Sequence, residues 1–295
     1  MHASYSLSDR LPHYARLTRL DKPIGILLLM WPTLWGLWMA AGGVPPWHIL
    51  AIFIAGTVLM RSAGCVINDF ADRNFDGHVE RTRARPLATG VVSVREALVL
   101  ASALAFVAFV LVVLFLDPLV LWLSLPALFL AASYPFTKRF LAIPQAYLGI
   151  AFGFGIPMGF AAVQGEVPAI AWLMVVANVF WAMAYDTEYA MVDRPDDLRI
   201  GVRSAAITFG RFDVAAVMLC YAMTFVLLAT TGAIAGRGAL FFAGLAVAAG
   251  IALYHYTLIR GRERAHCFKA FLHNNWVGAA IFVGLVGDYI LFPAV

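Results

Sequence analysis

Two short stretches of this sequence concentrate its acids. Asp69, Asp72 and Asp76 lie in NDFADRNFD (68–76), and Asp186, Glu188, Asp193, Asp196 and Asp197 lie in YDTEYAMVDRPDD (185–197). They are eight of the 17 Asp and Glu in the chain, so the grouping needs a reason. Asn68, Asp72 and Asp76 are spaced i, i+4, i+8, which on a helix sets all three along one face. Like charges so placed repel by about 0.2–0.5 kcal/mol per exposed pair, and a bound cation removes the repulsion. Hard oxygen ligands of this kind suit magnesium, which takes one or two carboxylates together with substrate phosphates. Asp186, Tyr189, Asp193 and Asp197 repeat the pattern at i, i+3, i+7, i+11. Pro195 removes a helical donor and disfavours helical angles at Arg194. This helix is therefore expected to end near Asp193, with Asp197 on a short helix that follows.

Basic residues accompany each stretch, in RTRARPLATG (81–90), SYPFTKRF (133–140) and IGVRSAAITFG (200–210). Carboxylates holding a metal, with guanidinium and ammonium groups beside them, form a diphosphate clamp. Arg85, Lys138, Arg139 and Arg203 are the candidates for that role, while Arg10, Arg260, Arg262 and Arg264 read as topogenic charges. Histidine is a poor partner for magnesium diphosphate, so His78 reads as a surface residue. His273, Asn274 and Asn275 open the last apolar run and read as polar helix-end groups. Cys65, Cys220 and Cys267 form no CxxC pair and read as small buried hydrophobes.

The elements that must position these groups are membrane helices. Hydrophobic residues make up 62% of the chain and charged ones 13%, too few to clothe a soluble domain of this length. Apolar runs long enough to span recur at about 23–41, 47–70, 93–115, 118–133, 143–163, 168–192, 210–231, 239–259 and 273–292. The segment before the first run is polar and basic, and that run is expected to act as an uncleaved anchor. With nine crossings, every Lys and Arg falls on the side of the N-terminus except Arg61, inside the second run, and Arg237. The positive-inside rule then places the N-terminus and both acidic stretches in the cytoplasm. Topology explains the net charge of +4 better than nucleic-acid binding does. The second and sixth runs both end in acids followed by a basic loop, so residues 1–295 read as one domain of two parallel pseudo-repeats. A transporter would carry its charges near the bilayer midplane on inverted repeats, and this pattern disfavours it.

At these residues the chain resembles the UbiA superfamily of intramembrane prenyltransferases. The two stretches match its NDxxDxxxD and YDxxYAxxDxxxD motifs. LDKPIGILLLMWPTLWGLWMA (20–40), PQAYLGIAFGFGIPMGFAA (144–162) and AFLHNNWVGAAIF (270–282) resemble the branch that prenylates 4-hydroxybenzoate in ubiquinone biosynthesis. The resemblance implies an all-α, polytopic bacterial inner-membrane protein, with nine helices around a central cavity capped on the cytoplasmic side. It implies Mg2+ ions, one held by Asn68, Asp72 and Asp76, and a second by Asp193 and Asp197 with Asp186 assisting. The substrates it implies are a polyprenyl diphosphate and 4-hydroxybenzoate. Within the same superfamily, homogentisate, a naphthoate, haem or a lipid stands as an alternative acceptor.

The mechanism expected on that basis is ionisation of the allylic diphosphate and attack by the ring carbon ortho to the hydroxyl, with Asp193 accepting the proton. Arg139 is the first candidate for the acceptor's carboxylate, followed by Lys22 and Arg85, with Tyr189 also at the acceptor. Trp31, Trp35, Phe152, Phe154, Trp181 and Tyr185 are candidates for lining the cavity and shielding the cation.

Overall fold

The computed structural model describes residues 7–74, 76–78, 80 and 82–292, and among them no strand occurs. Arg81 and the side chain of His78 lie outside the described residues. A short helix α1 (Leu7–Leu17) precedes α2 (Ile24–Ala41), α3 (Trp47–Asp72), α4 (Val94–Phe115) and α5 (Pro118–Thr137). Then come α6 (Pro144–Gly153), α7 (Gly155–Gln164), α8 (Ala169–Ile200), α9 (Ala205–Phe209), α10 (Asp213–Ile234), α11 (Ala239–Ile259) and α12 (Arg264–Leu291). α6 with α7, and α9 with α10, each make one crossing. The described residues thus hold nine helices long and apolar enough to span a membrane, the number the apolar runs predict.

Local chemistry sets several boundaries. Ser93 and Glu96 form a capping box at α4, with Glu96 N–H donating to Ser93 Oγ at 3.3 Å and Ser93 N–H to Glu96 Oε2 at 3.0 Å. Asp117 caps α5, accepting from Leu119 N–H at 2.7 Å, and Pro118 takes the first helical position.

Three expectations need correction. α8 does not stop near Asp193 but runs through Pro195 to Ile200. A proline removes one bond from a 32-residue helix, and packing against α10 and α12 outweighs that loss. The stop is Gly201, at φ 73, whose N–H bonds back to the Asp197 carbonyl. α12 starts at Arg264, so His273, Asn274 and Asn275 lie well inside it rather than at its mouth. α3 ends at Asp72, and Asp76 sits on a separate 3₁₀ turn, Asp76–His78, off the helix face that carries Asn68.

Close helix approach depends on small residues, as membrane bundles require. α11 meets α12 at Gly244 and Gly284. A Cβ on Gly244 would lie 2.7 Å from the Ala280 carbonyl oxygen and 2.8 Å from Gly284 Cα. Gly244→Ala is expected to cost about 1–3 kcal/mol, seen as earlier loss of monodisperse protein on heating in detergent. Gly250→Ala is the control. On the same helix its Cβ would meet nothing within 4 Å, and its melting should stay unchanged.

Charged pairs knit the helix ends on the side of the acidic stretches. Asp213, fully buried, takes Arg262 Nη2 at 2.7 Å and Arg194 Nη1 at 3.3 Å, joining the ends of α8, α10 and α11. The bond to Asp213 raises the Arg262 guanidinium above its usual range. Arg264 reaches Asp196 at 3.2 Å, and Arg10 pairs with Glu96.

Candidate active site

The helices surround a cavity of about 1060 Å³. One end is polar, with Asn68 from α3, Lys138 after α5, Asp186, Tyr189, Asp193 and Asp197 from α8, and Arg203 in the following loop. Lys22 and Arg85 also face it. The wall then becomes apolar along α3, α4 and α5, through Phe53, Ala108, Val112, Leu125 and Leu128. On α3 the lining runs from Asn68 back to Ile52. At 1.5 Å per residue that is roughly 24 Å, most of a hydrocarbon core about 30 Å thick.

The acids of the first stretch take different places. Asp72 Oδ2 lies 3.2 Å from Lys138 Nζ and 3.3 Å from Asn68 Nδ2, so it orients two groups of the cavity wall. Asp69, buried at the same end, accepts two bonds from Arg19 Nη2 at 2.8 and 2.9 Å and lies 3.0 Å from Arg85. Asp76 is buried and held by Arg85 Nη1 at 2.9 Å. Burial lifts its carboxyl above the ordinary range, and the adjacent Arg85 pulls it back. Arg85 is thus a clasp between two carboxylates as well as part of the wall.

In the second stretch the i, i+3, i+7, i+11 reading holds along the continuous α8. Asp186, Tyr189, Asp193 and Asp197 all face the cavity. Arg203 lines it too, while its Nη1 donates to the Phe140 carbonyl at 2.8 Å. Among the described residues no group of three or more His, Cys, Asp or Glu is gathered closely enough to hold a metal alone. The donor chemistry nonetheless fits magnesium. The candidate ligands are hard oxygens from two helices, few enough to leave positions for substrate phosphate and water.

Two sequence expectations find different surroundings. Arg139 is exposed, its Nη2 donates to the Ala71 carbonyl at 3.2 Å, and it is not in the cavity wall. Of the candidate aromatics, Phe152, Phe154 and Tyr185 line the cavity, but Trp31, Trp35 and Trp181 do not. Their indole N–H groups are directed to Asn275, the Gly278 carbonyl and Asn274, which draws the rings into the packing between α2, α8 and α12. Asn275 itself reaches the cavity.

One residue of the wall carried no role in the sequence reading. Arg61 lies seven residues before Asn68, two helical turns deeper in the membrane and on the same side of α3. Its guanidinium sits 5.5 Å from the Phe152 ring centroid, with Nη1 donating to Cys65 Sγ at 3.0 Å. A Cβ on Gly25 would stand 2.5 Å from Nη2, so the bare glycine makes room for it. Its Nε is buried with no hydrogen-bond partner, and the buried hydroxyls of Tyr185 and Ser204, also in the wall, share that condition. A charged side chain at such depth marks a functional site by default. The signal was available: Arg61 stands deep in its apolar run, whereas Arg95 and Arg211 lie within the first three residues of theirs.

Comparison with known proteins gives consistent results. The UbiA prenyltransferase family model matches residues 29–277. The chain is 76% identical over 294 residues to the 4-hydroxybenzoate octaprenyltransferase of Aromatoleum aromaticum, covering 100% of both chains. It is 77% identical over 286 residues to that of an Azoarcus species, covering 97% of this chain and 99% of the other. Among solved structures, a UbiA homolog from Aeropyrum pernix superposes with a TM-score of 0.79 at 26% identity, covering 89% of this chain and 97% of that one. A UbiA homolog from Archaeoglobus fulgidus bound to GPP and Mg2+ shares the fold, with a TM-score of 0.69 at 19% identity and 93% and 99% coverage.

Proposed function

This chain belongs to the UbiA prenyltransferase family, and from that premise we propose that it transfers a polyprenyl group from its diphosphate to 4-hydroxybenzoate, in ubiquinone biosynthesis. The observation that carries the reading is a single cavity with an acidic, oxygen-rich end, a lone guanidinium deeper in, and an apolar extension along three helices. Identity of 76–77% to relatives named for this activity supports the choice of acceptor.

Asn68, Asp72, Asp186, Asp193 and Asp197 would hold Mg2+ at the diphosphate, with Asp76 behind them. When bound, the ion neutralises the diphosphate and improves it as a leaving group. Lys138 and Arg203 take the diphosphate oxygens by charge-assisted bonds. The isoprenoid tail lies along the apolar wall of α3, α4 and α5. Phe152, Phe154, Tyr185 and Tyr189 exclude water from the allylic cation and turn π-faces towards it.

A para-hydroxybenzoate carries its charge and its phenol at opposite ends. With the carboxylate on Arg61, the phenol end points towards Asn68 and the diphosphate. The carbon ortho to the hydroxyl then forms the new bond, and Asp193 accepts the proton released. Arg61 takes the role first assigned to Arg139. We place the N-terminus and the acidic end in the cytoplasm of a bacterial inner membrane, with residues 1–295 acting as one unit of two parallel pseudo-repeats.

The test is the product. Solubilised protein given 4-hydroxybenzoate, geranyl diphosphate and Mg2+ is expected to yield a benzoate prenylated ortho to the hydroxyl. Substitution at another ring position would sink the mechanism. No product from geranyl or longer donors would point to another acceptor.

A further inference from the structure

The face of α8 turned away from the cavity carries a polar node that the proposed chemistry does not use. Glu188 is fully buried there. Its Oε2 accepts from Asn274 Nδ2 at 2.8 Å and its Oε1 lies 3.1 Å from the Tyr221 hydroxyl. The same hydroxyl lies 2.8 Å from Asn274 Oδ1 and 2.9 Å from His255 Nδ1, and His255 Nε2 lies 3.0 Å from His273 Nδ1. Asn274 Oδ1 also accepts from Trp181 Nε1 at 3.0 Å. Trp181, Tyr221, His255 and Asn274 are all buried. Four helices, α8, α10, α11 and α12, thus meet at one carboxyl.

The position of that carboxyl gives it a consequence. At 100° per residue, Glu188 points about 160° away from Asp186 and about 140° away from Asp193. A helix pinned on one side cannot turn its other side freely. We propose that Glu188 is a positioning residue, whose hydrogen bonds to Tyr221 and Asn274 fix the rotation of α8 and so aim Asp186, Tyr189 and Asp193 into the cavity. This rests on the functional reading above. Apolar packing alone specifies rotation less sharply, because apolar cores that tolerate repacking lose uniqueness before they lose stability. A buried, directional set of bonds does not, and such groups have been found to fix register in some packed helices. Each interhelical bond in a membrane contributes only modestly to stability, so losing them should disturb aim before it unfolds nine spans.

The chemistry of the node supplies its own control. Gln at position 188 can accept from Asn274 with Oε1 and donate to Tyr221 with Nε2, keeping both contacts. Leu matches the volume and keeps neither. The experiment measures Mg2+-dependent binding of geranyl diphosphate to the full chain in detergent without acceptor, by ligand-induced thermal shift. The variants are Glu188→Gln, Glu188→Leu and Tyr221→Phe. Glu188→Gln should bind like the wild type. Glu188→Leu should bind roughly tenfold to a hundredfold more weakly, the usual cost of losing a group that orients metal-binding carboxylates, and Tyr221→Phe should shift in the same direction. In turnover, KM for 4-hydroxybenzoate should hold, since Arg61 belongs to α3.

Binding by Glu188→Leu within twofold of wild type would overturn the inference, as would Glu188→Gln binding as weakly as Glu188→Leu. If Glu188→Leu does not fold, Tyr221→Phe decides, and wild-type binding by it overturns the inference. Failure of the wild type to bind would overturn the functional reading, and this inference with it.

Discussion

Asp72→Ala is expected to lower turnover of 4-hydroxybenzoate and geranyl diphosphate by about 10²–10³-fold, the usual effect of removing one preorganised group at developing charge. Three losses combine. The carboxylate is one of few oxygens available to the ion on the α3 side. Its Oδ2 also holds Lys138 at 3.2 Å and Asn68 at 3.3 Å, so the substitution frees an ammonium and an amide proposed to meet the diphosphate. It further leaves the basic groups of this end less balanced by acid. The fall should appear in kcat, because stabilising the leaving group matters most in the transition state. EDTA should abolish the wild-type reaction, and excess Mg2+ should restore it. Unchanged turnover in the variant would remove the first acidic stretch from the chemistry even if the enzyme class stands.

Arg61→Leu should separate the two substrates. A charge-assisted bond to a buried carboxylate contributes about 2–3 kcal/mol, so KM for 4-hydroxybenzoate should rise roughly 30- to 150-fold. Binding of geranyl diphosphate with Mg2+ should change little, because Arg61 lies about 10 Å along α3 from Asn68. Arg139→Leu, on an exposed residue outside the wall, should change acceptor KM by less than about fivefold, as expected for a solvent-screened contact. A larger effect at Arg139 than at Arg61 would return the carboxylate to the loop and reverse the orientation of the ring. These two variants therefore decide which way the acceptor lies.

Much of this architecture was legible because membrane helices announce themselves by apolar length. All nine crossings appear in the hydropathy pattern, and the cavity face of α8 appears in the spacing of Asp186, Tyr189, Asp193 and Asp197. Boundaries drifted where helices leave the apolar layer yet remain helical, as α8 does past Pro195 and α12 does before His273. Hydropathy ends there, but backbone hydrogen bonding does not. Spacing failed at Asp76, since an i+8 relation means something only while the helix lasts, and α3 ends at Asp72. The double duty of Arg85, binding Asp69 and Asp76, depends on a loop folding back, which no local pattern encodes. Arg61 went unassigned because a lone charge in an apolar run reads first as an exception to topology. Trp35 and Trp181 illustrate the reverse problem. Aromatic rings suited to a cation are equally suited to packing, and only the direction of their N–H groups distinguishes the two.

The apolar wall that runs from Asn68 back to Ile52 changes what concentration means for this protein. A long-tailed donor that occupies it never enters water in quantity, so its availability is a mole fraction in the lipid and not a molarity. Catalysis of this kind is a two-dimensional encounter, governed by lateral diffusion and by how much other lipid dilutes the donor. Adding bare bilayer at fixed total substrate then acts as a diluent, although nothing in the aqueous phase has changed. The acceptor, small and charged, still arrives by volume. The protein is the point at which a surface reagent and a bulk reagent are brought to one stoichiometry.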